Sequence, residues 1–204
     1  MIKIFIITER RADYSRFKPI MDLIVKDDKL DYILVVTGAH LKREMGYTKT
    51  EILKDGFKIN YEIDMFNEDS DSGAVMVRAF SKVAEKVTYC LEDSNPDLIL
   101  AGFDIGANLA VTIAGAHMNI PVAHIQGGEV TGTIDESIRH AMSKFSHYHF
   151  VSNDDAAQRL IKLGEMPERI FDVGCPSIDA IINTLDNKSI LDKYQLTENN
   201  YFIF

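Results

Sequence analysis

Leu98-Ile99-Leu100-Ala101-Gly102 runs straight into Phe103-Asp104, and Gly106 to His117 then carries helical periodicity up to a second apolar run, Val122 to Gln126. Short, continuous apolar runs of this kind fit strands buried on both faces, and the helical stretch between them supplies the crossover of a βα unit. Working outward, the same alternation recurs along the chain. Further strands are expected at Ile2 to Thr8, Asp31 to Thr37, Ile59 to Ile63, His147 to Ser152 and Ile170 to Val173. Helices are expected at Tyr14 to Val25, Thr48 to Leu53, Gly73 to Leu91, Asp135 to Phe145, Asp154 to Leu163 and Ser177 to Leu185. The fold class that follows is α/β, a doubly wound and mostly parallel Rossmann-like sheet, in which ligands sit at the carboxyl ends of the strands.

Composition agrees with that reading and removes several function classes. A chain of 204 residues that is 46% hydrophobic can bury a sizeable core, as one domain or one domain plus a piece of another. The formal charge of −9 comes from acids spread along the sequence, whereas a nucleic-acid footprint needs clustered lysine and arginine. The apolar start, Met1 to Ile7, runs into Thr8-Glu9-Arg10-Arg11 with no small-residue cleavage pattern, so it reads as a strand and not as a signal peptide. No apolar run approaches the ~20 residues of a membrane span, and a cytoplasmic protein is expected. Cys90 and Cys175 form neither a metal-spacing pair nor a disulfide framework and read as free thiols.

The unusual polar residues gather at the expected strand ends. Asp104 stands at a strand-to-helix corner, where an acid serves either as a helix N-cap or as a general acid/base. Arg11 follows the first strand and suits a phosphate or carboxylate, or an ion pair with Asp13. His40 follows the second strand and Gly38, a favourable place for ligand contact. Gly127-Gly128-Glu129-Val130-Thr131-Gly132-Thr133 precedes Ile134-Asp135-Glu136-Ser137-Ile138-Arg139-His140, with Thr133 an expected N-cap. Asp135 and Glu136 are either helix-dipole partners or site carboxylates, and Arg139 is either a surface i,i+4 partner or a substrate contact. His124, inside an apolar strand, reads as a core histidine. His147 and His149 share a strand face without a third ligand nearby, so no metal site is expected. A G-x-G-x-x-G after the first strand and a Walker A motif are both missing, which argues against a dinucleotide or P-loop site.

Four stretches together resemble a known family: Arg11-Ala12-Asp13-Tyr14-Ser15, the long motif from His124 to His140, Ser146-His147-Tyr148-His149, and Gly174-Cys175-Pro176-Ser177. They are similar to the hydrolysing UDP-N-acetylglucosamine 2-epimerases of sialic-acid and related nonulosonic-acid pathways, over essentially the whole chain. That resemblance implies the two-domain fold of B-type glycosyltransferases, a UDP- or GDP-sugar substrate, no cofactor, and a homo-oligomer, dimer or tetramer. It implies elimination of the nucleoside diphosphate to a 2-acetamidoglycal and addition of water to give the free 2-epimeric sugar. By position, the resemblance makes Asp104, Glu129, Asp135 and Glu136 acid/base candidates, and Arg11, His40, Gln126 and Arg139 substrate contacts. The chain departs from the family's Gly-Asp-Arg with Phe103-Asp104-Ile105, and from an acid or histidine with Gln126, so a 2,4-diacetamido-trideoxy sugar on UDP or GDP is a further substrate to consider. A B-type glycosyltransferase or a sugar-nucleotide-binding module is the alternative activity. Residues 1–186 are expected to form the N-terminal Rossmann-like domain. Polar residues 187–200 and the apolar Tyr201-Phe202-Ile203-Phe204 read as a linker and the first strand of a second domain, without which the chain would be inactive.

Overall fold

The structure, a computed structural model, describes residues 1–66, 72–182, 189–197 and 200. Seven strands form one sheet in the order β3-β2-β1-β4-β5-β6-β7, and every pairing in it is parallel. They are β1 (Ile2–Thr8), β2 (Leu30–Thr37), β3 (Tyr61–Ile63), β4 (Leu98–Gly102), β5 (Val122–Ile125), β6 (Tyr148–Val151) and β7 (Ile170–Asp172). The helices are α1 (Arg11–Ile24), α2 (Lys49–Lys54), α3 (Gly73–Ser94), α4 (Gly106–His117), α5 (Ile134–Phe145), α6 (Asp154–Lys162), α7 (Pro176–Ile182) and α8 (Ser189–Lys193). The strand order reverses between β1 and β4, which makes that gap the topological switch point.

Two cores lie on the two faces of the sheet, because alternate residues of each strand point to opposite sides. Phe5, Ile7, Val35, Ile99 and Val122 pack with α3, α4 and α5 on one face. Ile4, Ile6, Leu34, Val36 and Leu100 pack with Tyr14, Phe17 and Met21 of α1 and Ile52 of α2 on the other. Burial on both faces is why the strands read as unbroken apolar runs instead of alternating ones. Phe17 and Met21 are fully buried, each contributing roughly 2–3 kcal/mol of transfer free energy. Among the described residues, no helix is long and apolar enough to cross a membrane.

Helix boundaries follow their caps. Ser72 caps α3, Thr133 caps α5 and Asn153 caps α6, each accepting a backbone N–H of the first turn. Asn95, at φ +45, ends α3 in the left-handed conformation. α1 begins three residues earlier than its apolar periodicity suggests, at Arg11, because the Asp13 carboxylate accepts the N–H of Glu9 and of Arg10, both at 2.8 Å. The stretch expected to be linker holds the short helix α8, closed by Gln195 at φ +52 and a Leu196 N–H to Leu191 carbonyl bond of 2.8 Å. The C-terminal end of the helix expected at Ser177 to Leu185 and the strand expected at Tyr201 to Phe204 lie outside the described residues.

Candidate active site

At the switch point the protein's own side chains tie β1 to β4. Asn108, in the first turn of α4, accepts the Gly102 N–H at 2.9 Å and donates to the Ile7 carbonyl at 3.3 Å. Glu9, the residue after β1, reaches across the same gap and accepts the Ala107 N–H of α4 at 3.0 Å. Gly38 allows this turn: it sits at φ +58, and a side chain there would press into the Glu9 Cγ. Burial pushes the Glu9 carboxyl upward, and the Ala107 N–H partly opposes the shift. Asp13 is likewise raised by burial, to about 6. A carboxylate of the chain therefore stands at each helix N-terminus facing the switch point, Asp13 in the first turn of α1 and Glu9 on the Ala107 N–H of α4.

A second cluster lies one strand further along the rim. Asp104 is not the cap of α4; that position belongs to Ile105, which offers no side-chain bond. Its carboxylate instead makes a short charged contact with the Arg139 guanidinium, which also donates to the Glu129 carbonyl at 2.9 Å. Arg139 is 3% exposed, so α5 turns this cation inward under the glycine-rich loop and not toward solvent. The Glu129 carboxylate accepts from the Ser152 hydroxyl and, at 3.4 Å, from the Gln126 amide. The Gln126 Nε2 also lies 3.2 Å from the Cys175 sulfur. Contact with an acidic oxygen identifies that atom as the nitrogen, and this leaves the buried Gln126 Oε1 with no hydrogen-bond partner among the described residues. Four segments distant in sequence are therefore linked through Arg139, Glu129 and Gln126: the ends of β4, β5 and β6 and the turn at Cys175.

A UDP-N-acetylglucosamine 2-epimerase sequence profile matches residues 23–204. The chain belongs to that family. It is 41% identical over 182 residues to the UDP-N,N'-diacetylbacillosamine 2-epimerase (hydrolyzing) of Legionella pneumophila, covering 88% of this chain and 48% of the relative. It is 37% identical over 193 residues to the GDP/UDP-N,N'-diacetylbacillosamine 2-epimerase (hydrolyzing) of Campylobacter jejuni, covering 94% and 50%. The chain thus spans about half the length of the relatives it matches. The crystal structure of UDP-GlcNAc 2-epimerase from Neisseria meningitidis bound to UDP-GlcNAc has the same fold, with a TM-score of 0.81 at 20% identity over 95% of this chain and 52% of that one.

The other residues singled out in this epimerase-family sequence are placed as follows. Asp135 and Arg139 are four apart on α5, and the Asp135 N–H donates to the capping Thr133 hydroxyl at 3.3 Å. The Glu136 carboxylate folds back onto the loop to accept the Thr131 N–H at 2.7 Å. Arg11 is exposed in the first turn of α1, beside the switch point. His40 is fully buried in a short 3-10 turn, Gly38–Leu41, with Nε2 at 3.0 Å from the Thr8 hydroxyl and Nδ1 at 2.7 Å from that of Thr48. Burial pulls this imidazole down to about 4, so it is neutral near pH 7 and fastens β1, the 3-10 turn and the segment before α2 together. Gln126 leaves the strand expected for it by adopting φ +57, which aims its amide at Glu129. Among the described residues, no group of three His, Cys, Asp or Glu is arranged to hold a metal ion.

Sequence reasoning missed Glu9. The available signal was an acid directly after Thr8, at the end of a strand buried from Ile4 onward. It also left Ser152 and Asn108 unassigned, since neither belongs to a motif and each acts only on a neighbouring strand.

Proposed function

We propose that the whole protein is a hydrolysing 2-epimerase acting on a UDP- or GDP-linked 2-acetamido sugar. Supporting this reading are the family membership and the 41% and 37% identity to two relatives named as hydrolysing diacetylbacillosamine epimerases. The observation that carries it is the convergence of the Asp104 carboxylate and the Glu129 peptide on one buried guanidinium, beside the unpartnered acceptor of Gln126.

In this mechanism a carboxylate of the cluster removes the C2 proton while the C1–O bond to the diphosphate breaks, leaving a C1–C2 double bond in a 2-acetamidoglycal. Water then adds its oxygen to C1, and a proton returns to C2 on the opposite face, giving the free 2-epimeric sugar. Asp104 and Glu129 are the base and acid candidates, with Asp135 and Glu136 at the same helix start. Arg139 orients Asp104, and Arg11 stands ready for the departing diphosphate. The free Gln126 oxygen accepts a hydrogen bond from a hydroxyl or amide N–H of the sugar. His40, with both ring nitrogens already engaged, supports the site instead of touching the sugar. The nucleotide is held mainly by a second lobe beyond this chain. That assignment is supported by the half-length coverage of the relatives. On this reading residues 1–204 alone do not turn over.

The test is incubation of the whole protein with UDP-N-acetylglucosamine and with UDP- and GDP-N,N'-diacetylbacillosamine in heavy-oxygen, deuterated water. The expected product is free 2-epimeric sugar with the label at C1, deuterium at C2, and unlabelled nucleoside diphosphate. An epimer still joined to its nucleotide, label in the diphosphate, or release only when a sugar acceptor is added would each refute hydrolytic epimerisation; binding without any product would leave a sugar-nucleotide-binding module.

A further inference from the structure

We infer that His124 is a positioning residue, whose two ring nitrogens fix the corner that presents Asp104 to Arg139. The proposal rests on reading Asp104 as a site carboxylate. It begins with the backbone: Phe103 adopts φ +71, a left-handed conformation that a bulky residue takes only when its surroundings hold it there. Four contacts do so. The Phe103 ring packs against Phe17 at 5.1 Å and under the Arg16 guanidinium at 4.8 Å, and its N–H donates to the Ile125 carbonyl at 3.1 Å. Its carbonyl faces the Nε2 of His124 at 3.2 Å.

A carbonyl only accepts, so the proton of the neutral ring sits on Nε2, and Nδ1 becomes an acceptor. That atom faces the Ser143 hydroxyl at 3.1 Å, and the same hydroxyl, which has one proton to give, also lies 3.1 Å from the Arg139 carbonyl one helical turn back, so it donates to one of these two acceptors at a time. Arg139 then returns to Asp104 through its guanidinium. The result is a run of buried contacts from Asp104 through Phe103, His124, Ser143 and Arg139, in which one hydroxyl proton serves the acceptors on His124 and Arg139. His124 and Ser143 are fully buried, as is nearly all of Arg139, so the run is insulated from water. Gly127 fits into it as well, since a Cβ there would come within 2.9 Å of the His124 Nδ1 and 3.0 Å of the Ser143 hydroxyl. Protonating the ring would replace the Nδ1 acceptor with a second N–H and set a cation near Arg139. His124 therefore serves as a fixed neutral donor, with no part in moving protons.

Two substitutions separate the ring nitrogens in the whole protein. His124→Gln carries an amide nitrogen out to the place of Nε2 and keeps the Phe103 bond, whereas His124→Asn reaches only the place of Nδ1 and leaves that carbonyl without a donor. His124→Asn is expected to lower kcat roughly tenfold with KM little changed, and to speed amide deuterium exchange at residues 103–105 by a similar factor, as loss of one buried hydrogen bond would. His124→Gln is expected to stay within about threefold of the parent in both, with every limb of the pH–rate profile retained. Ser143→Ala, a smaller change on the Nδ1 side, should speed the same exchange about threefold, a modest fraction of a hydrogen bond. The exchange contrast holds even if the protein turns over none of the sugar nucleotides, so failure of the proposed activity and failure of this inference are distinguishable. Parent-like exchange at 103–105 in His124→Asn or in Ser143→Ala overturns the inference. So does abolished turnover with a lost pH limb in His124→Gln, which would make the imidazole an acid or base.

Discussion

Lowering the pH from 7 to 5 should destabilise the folded chain chiefly through buried histidines, and His40 allows the effect to be isolated. Its imidazole is 0% exposed and has its folded pKa pulled by burial from 6.5 to about 4. Below pH 6.5 the unfolded chain takes up a proton that the native state refuses, so the His40 contribution to stability falls as pH drops and is fully forfeited below about 4. The complete effect of that shift is about 3 kcal/mol, of which about 2 kcal/mol is felt between pH 7 and 5. His124, pulled down to about 3 by burial, adds about 2 kcal/mol over the same interval. Asp13 works in the opposite sense. Its folded value is raised from 3.8 to about 6, so the native state gains a proton first and recovers about 1 kcal/mol at pH 5. For these three groups together the loss is on the order of 3 kcal/mol, a large share of the 5–15 kcal/mol typical of a domain. Urea unfolding of the parent and of His40→Gln at pH 7 and pH 5 measures it. The variant lacks the titrating ring, so its loss over this interval should be smaller by about 2 kcal/mol, whatever its stability at pH 7. If His40→Gln loses as much between the two pH values as the parent does, the reasoning about His40 fails.

Two further substitutions probe the rim. Asp104→Asn keeps the shape but removes the charge facing the buried Arg139, and should cost about 1–3 kcal/mol in thermal unfolding while lowering turnover of the whole protein a hundredfold or more; an unchanged Tm would show that the ion pair is not made in solution. Gly128→Ala places a Cβ at φ +79 against the Ala156 carbonyl and should cost more than about 2 kcal/mol, whereas Gly132→Ala, with open space around it, should change stability by less than about 0.5 kcal/mol by the same denaturation assay.

The sequence by itself determined the layers of this protein. Strand stretches buried on both faces, such as residues 4–7 and 99–102, must lack charged residues, and helices such as α5 and α6 must begin where Thr133 or Asn153 can accept a backbone N–H; both signals lie within a few residues of chain. The crowding of polar residues at strand ends was legible for the same reason, since strand direction fixes which end of each run faces the ligand crevice. Only the tertiary structure decided which groups meet. Arg139 passes over the acids of its own helix start and pairs with Asp104, 35 residues away, while Glu9 reaches Ala107, 98 residues away, to close the switch point. Periodicity records which way a side chain leaves its element, but a partner on another strand depends on sheet order and register. Those are settled by burying both faces of the whole sheet at once, and no local stretch of sequence encodes them.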